Sequence, residues 1–249
     1  MANKIISNIL GGKSKGRKQL AVLVDPDKVD KKKCETFCQL AAQAKPDVVL
    51  VGGSVITTGD LEETVNTIKE NLAIPVVLFP GNSMHIASQA DGILFLSLVS
   101  GRNPEYLIGQ QVAAAPRLKK TDIEVIPTGY ILIDGGVTTT VHYISNTQPI
   151  PHGNTALAMA TSLASEMLGQ QLVYLDCGSG AKNPVSSDMV KIVSDHLSVP
   201  LLVGGGIKTK AQAEIAYASG ADMLVIGTAI EDKLGLMQEM CGVRDRFNA

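Results

Sequence analysis

Asp176 ends an apolar run and faces a glycine turn, in Tyr174-Leu175-Asp176-Cys177-Gly178-Ser179-Gly180. A carboxylate so placed can take a proton from a hydroxyl, an effect of about 10²–10⁴-fold in rate. The free N–H groups of the Gly-Ser-Gly turn can hold a phosphate. Read without ligand chemistry, the same carboxylate is a cap for the turn after the strand. Tyr174 lies two residues earlier and so shares the face of Asp176. Two more glycine-rich segments follow, Gly204-Gly205-Gly206 and Gly227-Thr228. Backbone N–H groups approach a phosphate closely only where no side chain intervenes. One glycine alone reads as a tight turn. Three adjacent glycines with Gly-Thr in the next loop read as one phosphate pocket, and Lys208-Thr209 would open a helix whose N-terminus adds positive dipole.

A second constellation is Val24-Asp25-Pro26-Asp27. Mg²⁺ is commonly bound by one or two carboxylates plus phosphate oxygens, so Asp25 and Asp27 form a candidate magnesium site. Ser54, in Val51-Gly52-Gly53-Ser54, could add a neutral oxygen. Asp-Pro-Asp reads equally as a turn followed by a helix cap. His85, His142, His152 and His196 show no metal spacing and read as structural, although His85 sits near a strand end.

The elements that must carry these residues alternate. Apolar, β-branched runs occur at Leu20–Val24, Val48–Val51, Val76–Phe79, Ile93–Leu98, Ile123–Ile133, Gln171–Leu175, Pro200–Val203 and Met223–Ile226. Helix-compatible segments lie between them at Lys32–Ala44, Leu61–Asn71, Pro104–Lys119, Thr155–Leu168, Ser187–Leu197 and Lys208–Ser219. About eight strands alternating with helices predict an α/β fold, a (β/α)8 TIM barrel, as a single domain over 1–249. An internal echo supports it. Pro75–Phe95 and Pro200–Ile226 each read as Pro, strand, glycine, helix, Ala-Asp, strand. In such a barrel the active site lies where strands end on their C-terminal side, and phosphate is commonly bound by the last two loops. The segment Gly135–Asn154 shows no clear periodicity and reads equally as a functional lid or a long surface loop.

Composition narrows the classes. Aromatic content is 4% with no Trp, against 45% hydrophobic residues, so the core is aliphatic. That suits parallel strands buried on both faces. A net charge of −2 gives no bulk attraction to nucleic acid, and Lys28–Lys33 reads as a solvated helix start. No apolar run reaches the roughly 20 residues of a membrane-spanning helix, so no stable membrane insertion is expected. Met1–Leu10 has no secretory pattern. Cys34 and Cys38 would share a helix face. The four cysteines, without metal or redox spacing, read as reduced thiols of a cytoplasmic protein.

Taken in order, Val24-Asp25-Pro26-Asp27-Lys28, Val51–Ser54, Tyr174–Gly180, Val203–Ile207 and Ile226–Thr228 resemble the geranylgeranylglyceryl phosphate synthase family, which includes the heptaprenylglyceryl phosphate synthases. The Gly-Ser-Gly form and the length resemble the longer of its two groups. The resemblance implies a modified (β/α)8 barrel and an Mg²⁺-dependent prenyltransferase. It would join sn-glycerol 1-phosphate to geranylgeranyl diphosphate, or a similar polyprenyl diphosphate, through an ether bond with release of diphosphate. It also implies a homo-oligomer, a dimer or a hexamer. On this resemblance Asp25 and Ser54 are metal ligands. Tyr174, Leu175, Asp176, Cys177, Gly178, Ser179, Gly180, Gly204, Gly205, Gly206, Gly227 and Thr228 hold glycerol phosphate. Asp176 stands where the family commonly has Glu, the base, and is one methylene shorter. The bacterial group's lysine near the first strand end is replaced by Leu23. Tyr106 is a candidate stop for the prenyl chain.

Two rival readings share the barrel. A phosphosugar isomerase or epimerase would use the same phosphate loops with a second acid/base, for which Asp134 is placed. A non-catalytic phosphate-binding barrel would need no base at all.

Overall fold

The computed structural model describes residues 4–249; residues 1–3, where the predicted domain span begins, lie outside it. Eight parallel strands close into a barrel in chain order. They are β1 (Gln19–Val24), β2 (Val48–Gly52), β3 (Val76–Phe79), β4 (Gly92–Leu98), β5 (Glu124–Leu132), β6 (Leu172–Asp176), β7 (Leu201–Gly204) and β8 (Met223–Ile226). Pairing of β8 with β1, from Gln19↔Met223 to Val22↔Ile226, closes the ring. Each predicted run is a strand, within a residue at either end. Alternation along each strand feeds two cores. Ala21, Leu50, Val77, Leu94, Ile126, Leu172, Leu202 and Val225 fill the barrel. Val22, Val51, Leu78, Ile131, Val173, Val203 and Leu224 face the helices.

The helices are α1 (Lys4–Ser14), α2 (Lys31–Ala44), α3 (Leu61–Asn71), α4 (Gln110–Leu118), α5 (Thr140–Ser145), α6 (Thr155–Met167), α7 (Ser187–Ser194), α8 (Lys210–Ala218), α9 (Thr228–Asp232) and α10 (Leu236–Asn248). Side chains of Asp30, Asp60, Ser186 and Thr209 accept the third N–H of the helix that follows each. Thr209 forms a capping box with Gln212, so α8 opens at Lys210 and Lys208 stays in the loop. The predicted helix Pro104–Lys119 divides into a π-helical turn, Glu105–Gly109, and α4.

Three features depart from the sequence expectation. First, α1 is an added helix that plugs the N-terminal end of the barrel with Ile5, Ile6 and Ile9. The Glu124 carboxylate accepts the backbone N–H groups of Ile5 and Ile6, each at 2.8 Å, satisfying donors the helix leaves free at its start. Second, the connection from β3 to β4 carries no helix, against the helix expected from the internal echo. Asn82 there accepts the N–H of Met84, and His85 accepts that of Gly81, which holds the segment as turns. In place of a helix, a cavity borders β4 at Ile93 and Phe95. Third, Gly135–Asn154 folds into α5 and a parallel bridge, Ile133↔Ile150.

Candidate active site

The C-terminal strand ends surround an open mouth. Asp176 is the last residue of β6 and only 5% exposed. Its Oδ2 accepts the Tyr130 hydroxyl at 2.5 Å, and its Oδ1 accepts the Gly178 N–H at 2.9 Å. Burial raises the carboxyl pKa, against the lowering effect of those two donors and of His142. The direction suits a general base, whose pKa is best placed near the working pH. Each oxygen keeps a further lone pair for a substrate hydroxyl. Tyr174 stands two residues back, cross-strand from Tyr130, with ring centroids 5.5 Å apart. Burial raises the pKa of both phenols, so both face the mouth as neutral hydroxyls.

The phosphate loops lie beside Asp176. Gly178, Ser179, Gly180, Gly205, Gly206, Gly227 and Thr228 border one cavity with Tyr174 and Asp176. Gly178, Gly180, Gly205 and Gly206 all have positive φ, between 74° and 82°, where glycine alone is unstrained. Ser179 Oγ lies 2.9 Å from Thr228 Oγ1, joining the loops of β6 and β8. Lys28 and Lys208 add positive charge to this rim. The side chains of Leu175 and Cys177 point into the outer core instead, as strand alternation requires, and the Cys177 N–H is held by Gly204 O at 3.2 Å. Gly204 lies beneath the cavity, its Cα hydrogens packed on the Tyr174 hydroxyl.

Opposite, Asp25 and Ser54 border the same cavity. Lys28 Nζ lies 3.7 Å from Asp25 Oδ2 and 2.8 Å from Glu231 Oε2, and Glu231 also accepts the Asp25 N–H. Gly53 leaves the Asp25 carboxylate open on one side. Among the described residues no three acidic, His or Cys side chains cluster as a metal cage. One carboxylate and a hydroxyl fit a hard cation that takes its remaining oxygens from water and phosphate.

Asp27 does not join that site. Its carboxylate accepts the N–H groups of Thr57, Thr58 and Gly59 and the Thr57 hydroxyl, bracing the loop after β2. The expected paired-carboxylate site is therefore corrected to Asp25 alone. Burial raises the Asp27 pKa, but the donors of Gly59, Thr58 and Thr57 win and hold it far below the usual carboxylate range. A depressed folded pKa gives stability that is present above the unfolded value and lost as pH falls through the folded one. Asp27→Ala should cost about 1 kcal/mol near neutral pH, since water reaches the freed N–H groups. The deficit should shrink below about pH 4. Thermal melts from pH 7 to pH 3 check this; a deficit that grows on acidification would refute it.

Apart from Tyr106, sequence reasoning named none of the residues of the apolar half of the site as such. A trough opens from the mouth through Gly53, Ser54, Phe79, Tyr130 and Val141, which border both cavities. It runs along β4 past Phe95 and Leu96, and Ile86, Ile93 and Ala114 also line it. Its wall includes Tyr106, whose hydroxyl donates to Ile144 O at 3.3 Å across to α5. Tyr106, the candidate stop, is therefore one of the residues that line the trough. Thr140 and Val141 of α5 reach the mouth, and Ile144 the trough, so the aperiodic segment borders both. Thr139 Oγ1 and His142 Nε2 of the same segment are buried without a partner among the described residues. Asp134 turns its carboxylate to the Gly136 N–H and does not border the mouth. His85 and His196 hold hydrogen bonds within their own segments, and His152 Nε2 bonds Pro184 O in the loop after β6.

The chain matches the PcrB family over residues 14–242. It is 49% identical over 236 residues to the geranylgeranylglyceryl phosphate synthase of Spirosoma linguale, covering 95% of each chain. To that of Chitinophaga pinensis it is 47% identical over 240 residues, covering 96% of this chain and 95% of the relative. Among solved structures, the (S)-3-O-geranylgeranylglyceryl phosphate synthase of Thermoplasma acidophilum, in complex with its substrate sn-glycerol-1-phosphate, superposes with a TM-score of 0.89. It is 33% identical and covers 97% of both chains.

Proposed function

Because the chain belongs to the PcrB family, we propose that it joins sn-glycerol 1-phosphate to a polyprenyl diphosphate, geranylgeranyl diphosphate first among them, and releases diphosphate. The observation that carries the reading is one opening onto two chemically opposite cavities, a polar mouth ringed by glycines and an apolar trough, with Tyr130, which bonds Asp176, at their junction. The Gly205-Gly206 and Gly227-Thr228 loops hold the glycerol phosphate anion. Asp176 accepts the proton of the hydroxyl that attacks the first prenyl carbon. Tyr130 and Gly178 fix the carboxylate for that transfer. The trough orients the prenyl chain and keeps water from the reacting carbon. Asp25 and Ser54 would hold Mg²⁺. When bound, that ion would neutralise the departing diphosphate. Lys28 and Lys208 lie where they assist the same charge. Four buried free thiols support a reducing, cytoplasmic setting, and no helix among the described residues is long and apolar enough to cross a membrane.

Purified protein, Mg²⁺, either glycerol-phosphate enantiomer and prenyl diphosphates of increasing length should give prenyl ether and diphosphate with the sn-1 enantiomer. Absence of both products with every donor would overturn the reading. In the same assay Asp25→Ala should raise the half-saturating Mg²⁺ concentration at least tenfold. An unchanged titration would remove Asp25 from the metal site.

A further inference from the structure

A further cavity, of about 420 Å³, lies at the opposite end of the barrel, between α1 and the starts of β1, β2 and β3. That is the size of a small-molecule site. A turn builds one wall. Gly16 ends α1 with φ +66°. Its N–H bonds Lys13 O and the Arg17 N–H bonds Gly12 O, each at 2.9 Å, so the chain reverses on two helix carbonyls. Lys15, Arg17 and Gln19 thereby border the cavity together, with Ser7 and Asn8 of α1 on the same lining. Gln19 is the informative residue. It is 6% exposed and opens an otherwise aliphatic strand. Its backbone is satisfied, the N–H by Asp222 O and the C=O by the Tyr217 hydroxyl. Its side-chain amide, with two donors and two lone pairs, bonds to no described residue. Buried polar groups are normally paired. Gly12 makes room for that amide, since a Cβ there would lie 3.1–3.2 Å from the amide carbon, nitrogen and oxygen. A helical glycine costs about 1 kcal/mol against alanine, so α1 gives up stability where the amide meets the cavity.

Charge selects the occupant. Among the described residues Asp47 is the one carboxylate on the lining, and its oxygens are already engaged. Its Oδ1 accepts Arg17 at 2.8 Å, and its Oδ2 accepts the Leu20 N–H at 3.0 Å and Arg244 at 2.7 Å. Two guanidiniums therefore face a single negative charge. The bond to Asp47 uses one terminal nitrogen of Arg17 and leaves the rest of its donor fork to the cavity. Lys15 has no ion-pair partner among the described residues. We propose that this cavity binds a small phosphorylated polyol. Lys15 and Arg17 hold the phosphate, and the amides of Gln19 and Asn8 hold hydroxyl groups. A guanidinium donates to phosphate oxygens in pairs. An amide both donates and accepts, as a hydroxyl requires. Inorganic phosphate alone would leave most of the space, and Gln19, without a partner. The site does not rest on the proposed reaction, because it lies at the other end of the barrel from the glycine loops. Its occupant ties α1 to β1 and so stabilises the plug.

Amide NMR of the isotope-labelled full chain reads the cavity directly, through the Gln19 side-chain amide and the Gly11 and Gly12 N–H signals. Titration with glucose 6-phosphate or sn-glycerol 1-phosphate should shift these signals to saturation and raise the Tm with concentration. The ester that saturates at the lower concentration gives the size of the polyol. Glucose and glycerol should leave the signals in place. Inorganic phosphate should need at least about tenfold more than the better ester. Lys15→Gln and Gln19→Leu should each weaken that ester about tenfold or more, with unchanged circular dichroism. Lys15 is exposed, so its variant folds even where Gln19→Leu does not. In Gly205→Ala, which disturbs the mouth, the Gln19 shifts should persist. Signals that stay in place at about 10 mM of either ester overturn the proposal. So does inorganic phosphate as effective as both esters, which would make this an anion site only. Affinity unchanged in both Lys15→Gln and Gln19→Leu overturns it too.

Discussion

Asp176→Asn should lower kcat by about 10²–10⁴-fold, the usual weight of a positioned base, and leave glycerol-phosphate affinity within a few-fold of wild type. The substitution is nearly isosteric at a side chain 5% exposed. The asparagine oxygen can keep the Gly178 N–H. Its amide then faces the Tyr130 hydroxyl, which can rotate to accept instead of donate. The hydrogen-bond frame thus survives while the proton acceptor is lost. Steady-state kinetics with calorimetric titration of sn-glycerol 1-phosphate separates the two. The wild type supplies a second sign. Burial raises the Asp176 pKa, so the acidic limb of kcat/KM should lie above the ordinary carboxylate value of about 4 and vanish in the variant. A variant with wild-type turnover would remove Asp176 from the mechanism.

The strands and their ends were legible because parallel strands buried on both faces leave an unbroken aliphatic run, and glycines mark where it stops. The barrel and its phosphate loops follow from those two signals. What escaped has other physical causes. α1 contains Gly11 and Gly12, and no element is assigned there from sequence. It is helical because Ile5, Ile6 and Ile9 bury in the barrel end and Glu124 caps it. Tyr130 was missed because it lies inside a strand, two residues before the end of β5. The register Tyr130↔Tyr174 brings it to the mouth, and only alternation counted back from Leu132 would have pointed to it. The same alternation argues against side-chain roles for Leu175 and Cys177. The trough was illegible because it follows from a missing element. Ile93 and Phe95 look like ordinary core until the β3–β4 connection forms without a helix. Asp25 and Asp27 share one motif, yet their surroundings divide them. One faces the mouth, and the other is consumed by four donors of the next loop.

Gly205→Ala should cut kcat/KM for glycerol phosphate by at least about 10²-fold, the scale of a misplacement near 1 Å. Two separate costs meet there. The φ of +75° strains any residue with a Cβ, by about 1 kcal/mol. The added Cβ would also lie 2.7 Å from Asp176 Oδ1 and from the N–H nitrogens of Cys177 and Gly178. Two of those neighbours are backbone and cannot turn aside, so the Asp176 carboxylate and the turn behind it must shift. Gly180 supplies the matched control, with the same conformation, φ +77°, and nothing within 4 Å of a Cβ. Gly180→Ala should therefore show the strain alone, a few degrees in Tm at most and turnover within severalfold of wild type. Equal losses of activity in the two variants would mean that backbone strain governs the loop. The space beside Asp176 would then lose its claim to be the phosphate-bearing side of the site. A large loss in Gly205→Ala, with Gly180→Ala near wild type, ties catalysis to the absence of a side chain between the glycine loop of β7 and the carboxylate of β6.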